Sequence, residues 1–133
     1  SLDRATELAG AYQATGSFVM RSWAAANPSA LERYMAAYIE GTRYAMNPAN
    51  RSEMIKLLED RFKLLPAVAA QSYDALNTPG FGMATDARLS MEGFRNVLAL
   101  RAEIEGQWGG KAPEPGKYLD LSYYERALAM AGR

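Results

Sequence analysis

The sequence predicts a predominantly α fold of about five helices and one short strand, and three observations carry that reading. Between Asn27 and Met46 the apolar residues Leu31, Tyr34, Met35, Tyr38, Ile39, Ala45 and Met46 recur at the helical period over about five turns. Residues suited to opening helices recur along the chain: Pro28, Asn50, Pro66, Ser90 and Ser122. Finally, 49% of the 133 residues are apolar, enough for one globular domain with a core of its own.

Taken in order, Leu2, Ala5, Leu8 and Ala9 predict a short lead-in helix that turns on Gly10. Residues 11–20 are rich in aromatic and β-branched side chains and predict an extended strand. A lone strand leaves its own edges unsatisfied, so this one must pair outside the chain or with a second copy. Trp23 belongs to a brief helix before Asn27-Pro28, because a residue preceding proline is pushed out of the α region. The long helix follows, with Asn27 as its cap and Asn47-Pro48 as its stop. Asn50 and Glu53 have the spacing of a capping box, opening a helix to Phe62 whose inner face is Met54, Ile55, Leu57, Leu58 and Phe62. Its neighbour should be the helix before it, across a short link. Pro66 opens another helix with Val68, Ala69, Tyr73 and Leu76 inward, and residues 77–89 form a surface loop around Pro79, Gly80 and Gly82. Ser90 caps a helix from Met91 to Glu105 with Phe94, Val97, Leu98, Arg101 and Ile104 on one side. Residues 106–116 hold too many glycines and prolines for regular structure, and Ser122 with Glu125 forms a second capping box for a terminal helix. The recurrent Asn-Pro pairs do not extend into a tandem helical repeat.

Composition narrows the chemistry. Lys plus Arg and Asp plus Glu are each 15, so there is no electrostatic footprint for nucleic acid or anionic lipid. With no cysteine and no histidine the chain has no thiolate nucleophile, no imidazole base and no zinc-type ligand set, which points away from an enzyme and from a metal or other cofactor. The longest apolar run, Leu64 to Ala70, is too short to span a membrane. The opening residues carry no signal-peptide pattern, and a start on Ser1 without methionine is what a processed or truncated chain is expected to show.

Few constellations carry function. The tyrosines at 34, 38 and 44 have helical spacing and fit packing better than an aromatic-ligand pocket. Glu59-Asp60 and the Glu103, Glu105 pair cannot face one another across a substrate and fit a solvated face. Gly41, mid-helix, predicts a close helix or backbone crossing. Thr15-Gly16-Ser17, inside the expected strand, combines two hydroxyls with a backbone open to close approach; an ordinary strand bulge reads the same way.

Several segments in order resemble one family. Tyr12-Gln13-Ala14-Thr15-Gly16-Ser17, then Arg21-Ser22-Trp23-Ala24-Ala25-Ala26-Asn27-Pro28, Ala36-Ala37-Tyr38-Ile39-Glu40-Gly41, Asn47-Pro48-Ala49-Asn50-Arg51 and the stretch from Lys117 to Ala127 are similar to the carboxy-terminal portion of the nitrate/sulfonate/taurine-type periplasmic substrate-binding proteins of ABC importers, the group that includes the thiamine-pyrimidine-precursor proteins. The resemblance implies that residues 1–133 are a single carboxy-terminal helical segment of a two-lobed α/β fold. Residues 1–20 would be a lead-in helix and crossover strand, and 21–133 the helical part. It implies a periplasmic solute-binding protein that is not an enzyme and that hands a sulfonate, nitrate, pyrimidine or aromatic acid to an ABC permease, with Tyr12, Gln13, Thr15 and Ser17 as the ligand-binding residues. The competing expectation is a stand-alone helical protein-interaction module. Missing partner strands leave apolar surface uncovered, so the chain is expected to form a homo-oligomer.

Overall fold

In the computed structural model residues 10–80 and 82–132 are described, and among them six α-helices and two short 3-10 turns, Pro48–Asn50 and Pro115–Lys117, make up the regular structure. The helices are α1 (Arg21–Ala26), α2 (Pro28–Met46), α3 (Arg51–Phe62), α4 (Pro66–Leu76), α5 (Met91–Glu105) and α6 (Ser122–Ala131). The predominantly α reading is therefore correct. The short strand is a correction: residues 12–20 carry no regular structure, and no strand occurs among the described residues. Aromatic and β-branched content favours an extended backbone, but a strand exists only with a ladder partner, and the chain supplies none there. The lead-in helix expected over residues 2–9 lies outside the described residues.

Two compact units divide the chain, one formed by Ser1–Pro28 and Leu89–Tyr123, the other by Ser29–Arg88 and Tyr124–Arg133. The first contains α1 and α5. Leu98 and Ala102 of α5 are buried, as is Ala24 of α1. Ser90 caps α5 as expected, its hydroxyl oxygen accepting from the Gly93 N–H at 3.0 Å. The inner face of α5 differs from expectation, because Ile104 is 76% exposed while Gly93 and Ala102 are buried. Residues 106–116 are largely irregular as expected: Gln107–Gly110 turns with a left-handed backbone at Trp108 and Gly109, and a short 3-10 turn, Pro115–Lys117, begins at their end.

The second unit contains nearly all of α2 and α6, with α3 and α4. Its core joins Ala36 and Ile39 of α2 to Ala127 of α6, surrounded by Met35, Ala87, Tyr124 and Leu128. Polar contacts fasten the same surfaces. Arg43 on α2 donates through Nε to Asp86 at 2.7 Å and through Nη1 to the carbonyl of Ala131 at 2.8 Å, placing a cation at the carbonyl end of α6. The Tyr124 hydroxyl donates to the Asp86 carbonyl, and Arg126 pairs with Glu32 at 2.6 Å. The 77–89 loop is thus pinned by Asp86. It is also closed upon itself: the Met83 N–H donates to the Leu76 carbonyl at 2.8 Å, and a Cβ on Gly82 would collide with that carbonyl.

Local contacts around α2 and α3 replace the expected caps. Asn27 serves the helix before it, its Nδ2 donating to the Trp23 carbonyl at 3.0 Å. The capping box at Asn50 and Glu53 is not formed. Instead Asn50 Nδ2 donates to the Tyr44 carbonyl at 2.9 Å and Glu53 accepts from the Tyr44 hydroxyl at 2.8 Å, so both residues tie α3 back to the end of α2. The helix after α3, not the one before, supplies its packing partner: α3 lies against α4. Leu57 and Phe62 of the expected inner face stay exposed, and on α4 only Ala69 and Tyr73 are buried, while Val68 and Leu76 are about half exposed. The box at Ser122 and Glu125 is replaced as well, because Asp120 Oδ1 accepts from both the Ser122 N–H and its hydroxyl. Gly41 meets no close crossing: nothing lies within 4 Å of a Cβ built there.

Two glycines therefore make opposite predictions, checked by urea denaturation of the dilute chain. Gly41→Ala should stabilise it by about 0.5–1 kcal/mol, since the helix gains an alanine in open space. Gly82→Ala should destabilise it by about 1–3 kcal/mol through the clash with Leu76. The Tyr44 hydroxyl has its pKa raised, first by its hydrogen bond to Glu53, then by the carboxylate charge and by desolvation. The neutral phenol is the form that the fold favours, so this contribution is present below the ordinary tyrosine range near about 10 and is lost as pH rises through the raised value. Spectrophotometric titration should show one late-ionising tyrosine that disappears in Tyr44→Phe and moves earlier in Glu53→Gln.

Candidate functional site

The stretch expected to bind a ligand is attached to α5 at its beginning and free beyond. Gly10 takes a left-handed backbone, φ 70°, that turns the chain into the segment. Asn96 Nδ2 then donates to the Ala11 carbonyl at 2.9 Å. The Gln13 side chain is doubly engaged: its Oε1 accepts from the Ser90 N–H at 2.8 Å and its Nε2 donates to the Thr15 carbonyl at 2.6 Å. This approach depends on Gly93, whose missing side chain leaves room for the segment. A Cβ there would stand 2.8 Å from the Gln13 nitrogen and 3.0 Å from the Tyr12 carbonyl carbon. Sequence reasoning assigned no role to Gly93 or Asn96. A glycine inside an otherwise helical pattern, where it costs about 1 kcal/mol relative to alanine, was the available signal.

Tyr12 lines an open concavity of about 220 Å³ with Val97, Leu100, Arg101, Ile104 and Glu105 of α5. Drug-sized ligands occupy enclosed pockets of about 300–1,000 Å³, so this one suits a contact with part of a small molecule. Its charges are already matched. Arg101 pairs with Glu105 at 3.0 Å and donates to Gln107 Oε1 at 3.3 Å, while Gln107 Nε2 donates back to Glu105 at 2.8 Å. An anion seeking Arg101 must displace Glu105.

The four sequence-predicted residues therefore fall into two kinds. Tyr12 and Gln13 are brought to α5, where Tyr12 offers a half-open ring and Gln13 acts as a tether with both ends of its amide in use. Thr15 and Ser17 are exposed and are not brought to that concavity, and Gly16 between them has open space around it. A further aromatic pair in the same unit went unrecognised in the sequence. Trp108 has a left-handed backbone, φ 54°, beside Gly109 and Gly110, and its Nε1 donates to the Tyr118 hydroxyl at 2.8 Å with the rings 6.0 Å apart. Lys117 lies 5.6 Å from the centre of the Tyr118 ring, and its carbonyl accepts from Arg21 at 2.8 Å. The pair arises because the left-handed turn at Trp108 and the 3-10 turn Pro115–Lys117 bring residues ten apart together, which no local period encodes. Among the described residues no cluster of three carboxylates offers a metal site.

No family model, curated protein or solved structure matches the chain.

Gly93→Ala should detach the segment from α5. Hydrogen exchange at the Ser90 amide, which donates to the Gln13 side chain, should accelerate by about tenfold or more, the equivalent of 1.4 kcal/mol, while far-ultraviolet circular dichroism remains helical. Gln13→Leu should produce a change in the same direction.

Proposed function

We propose that the chain is the carboxy-terminal helical part of a solute-binding protein that captures a sulfonate, nitrate, pyrimidine or aromatic acid for an ABC importer. One observation supports this reading above the others: the unpaired segment ahead of α1 holds Phe18 93% exposed, followed by Val19 and Met20, 47% and 71% exposed. Apolar surface left in water forgoes about 25 cal/mol per Å² of burial. A run of such residues is explained if strands of a parent protein cover it. In a two-lobed binding protein the segment is the return crossover strand, paired on both edges, and the helices from α1 onward finish a lobe.

In this reading the protein works outside the inner membrane, performs no covalent chemistry and delivers its solute to a permease. Lobe closure follows from contacts that the solute makes only in the closed state. Tyr12 contributes an aromatic face, Thr15 and Ser17 contribute hydroxyls that a planar anion accepts from, and Gln13 fixes where the segment leaves α5. Without its partner strands the isolated chain keeps apolar surface that favours homo-oligomers.

Differential scanning fluorimetry of the parent protein against alkanesulfonates, nitrate, pyrimidines and aromatic acids tests the proposal. One class should raise the Tm, since ligand at a hundredfold its Kd adds about 2.7 kcal/mol to stability. Combined Tyr12→Ala and Thr15→Ala substitution should weaken that ligand about tenfold or more, the equivalent of 1.4 kcal/mol. Absence of any shift across all four classes overturns it.

A further inference from the structure

We infer that the outer face of α2 is a self-association surface, on which a second copy of this chain docks antiparallel with the two-fold axis beside Ala37. The inference concerns the 133-residue chain itself and does not rest on the solute-binding reading. The inner face of α2 is buried through Leu31, Ala36, Ile39 and Thr42. Its opposite side is open to solvent. Tyr34 and Tyr44 are 62% and 50% exposed, and between them run exposed small residues, Ala30, Ala37 and Gly41. Nothing stands within 4 Å of where a Gly41 side chain would be. Large rings beside a shallow small-residue groove are the knobs and holes from which helix pairs are made.

Charge selects the occupant. Arg33 and Glu40 are both exposed, stand seven residues apart on one flank of the groove, and engage no ion pair with the described residues. When two copies of one helix pair antiparallel about a two-fold axis, each flank meets the same flank of the other copy running in reverse. Arg33 then faces Glu40 of the second copy, and Glu40 faces Arg33 of the second copy. The apolar residues follow the same symmetry to within one residue, about 1.5 Å along the helix. Tyr44 and Ala30 are equidistant from Ala37, so each Tyr44 ring covers an Ala30, and Tyr34 reaches the open space at Gly41. Parallel pairing would set this flank against the opposite one, where Tyr34 and Gly41 lie, and leave both charges without a partner. The Tyr44 ring is already held by its hydroxyl contact with Glu53, which reduces the freedom lost on docking.

Sedimentation equilibrium of the 133-residue chain should give a dimer. Glu40→Arg should weaken it at least about tenfold by creating a like-charge flank, and the charge-swapped Arg33→Glu, Glu40→Arg double variant should restore it. Cysteine crosslinking is clean because the chain has no cysteine. Ala37→Cys on the axis should give a disulfide-linked dimer under mild oxidation. Ala30→Cys should not, because antiparallel pairing sets the two sites about 21 Å apart along the helix. A chain that stays monomeric, a dimer indifferent to Glu40→Arg while folded by circular dichroism, or crosslinking through Ala30 in place of Ala37 overturns the inference.

Discussion

The contact between Ala127 and the Ala36, Ile39 face of α2 is the constraint on which the second unit depends. Ala127 and Ile39 are almost completely removed from solvent, yet the contact is built of small side chains and contributes modest apolar area. Close approach replaces bulk, and close approach needs registration. Arg43 supplies it by binding the carbonyl end of α6 and Asp86 at once, while Tyr124 reaches the backbone of the same Asp86. The loop after α4 is held by that cation as well as by its own backbone hydrogen bonds. Removing the guanidinium would take contacts from α6 and the loop together, whereas the usual surface pair joins only two side chains.

Much of the helical plan was legible because proline, serine and the apolar period speak locally. Pro28, Pro66 and Ser90 open α2, α4 and α5 or stand just before them, and the ends at Met46, Phe62 and Glu105 agree with the pattern. The misreadings share a different cause. Asn50 and Glu53 have the spacing of a cap, but Tyr44 competes for both side chains and wins, an interaction set by how α2 ends. Phe62, Val68 and Ile104 have helical period yet remain open, since period marks a face without naming what covers it. The strand failed for a related reason: propensity is a property of the residues, whereas pairing is a property of a partner.

The candidate site was half legible. Tyr12 and Gln13 do meet a wall of α5, but Gln13 is there as a fastener, and the feature that admits it is the empty side of Gly93. Beyond Gln13 the chain runs free, carrying Thr15, Ser17 and the exposed Phe18. Attachment at one end and openness at the other divide the segment into a structural part and a part available to something else. The outer face of α2 poses the same question in the other unit, and there its symmetry of charge provides an answer within the chain's own sequence.

The division into two units also decides what an optical probe can see. Both tryptophans, Trp23 and Trp108, fall in the first unit, whereas the second holds Tyr34, Tyr38, Tyr44, Tyr73 and Tyr124 and no indole. Tryptophan emission is therefore a one-sided witness. Melting of the Ala127 core would pass unseen in that signal unless the two units unfold cooperatively, and the lag between indole emission and helical ellipticity becomes a direct ruler of their coupling.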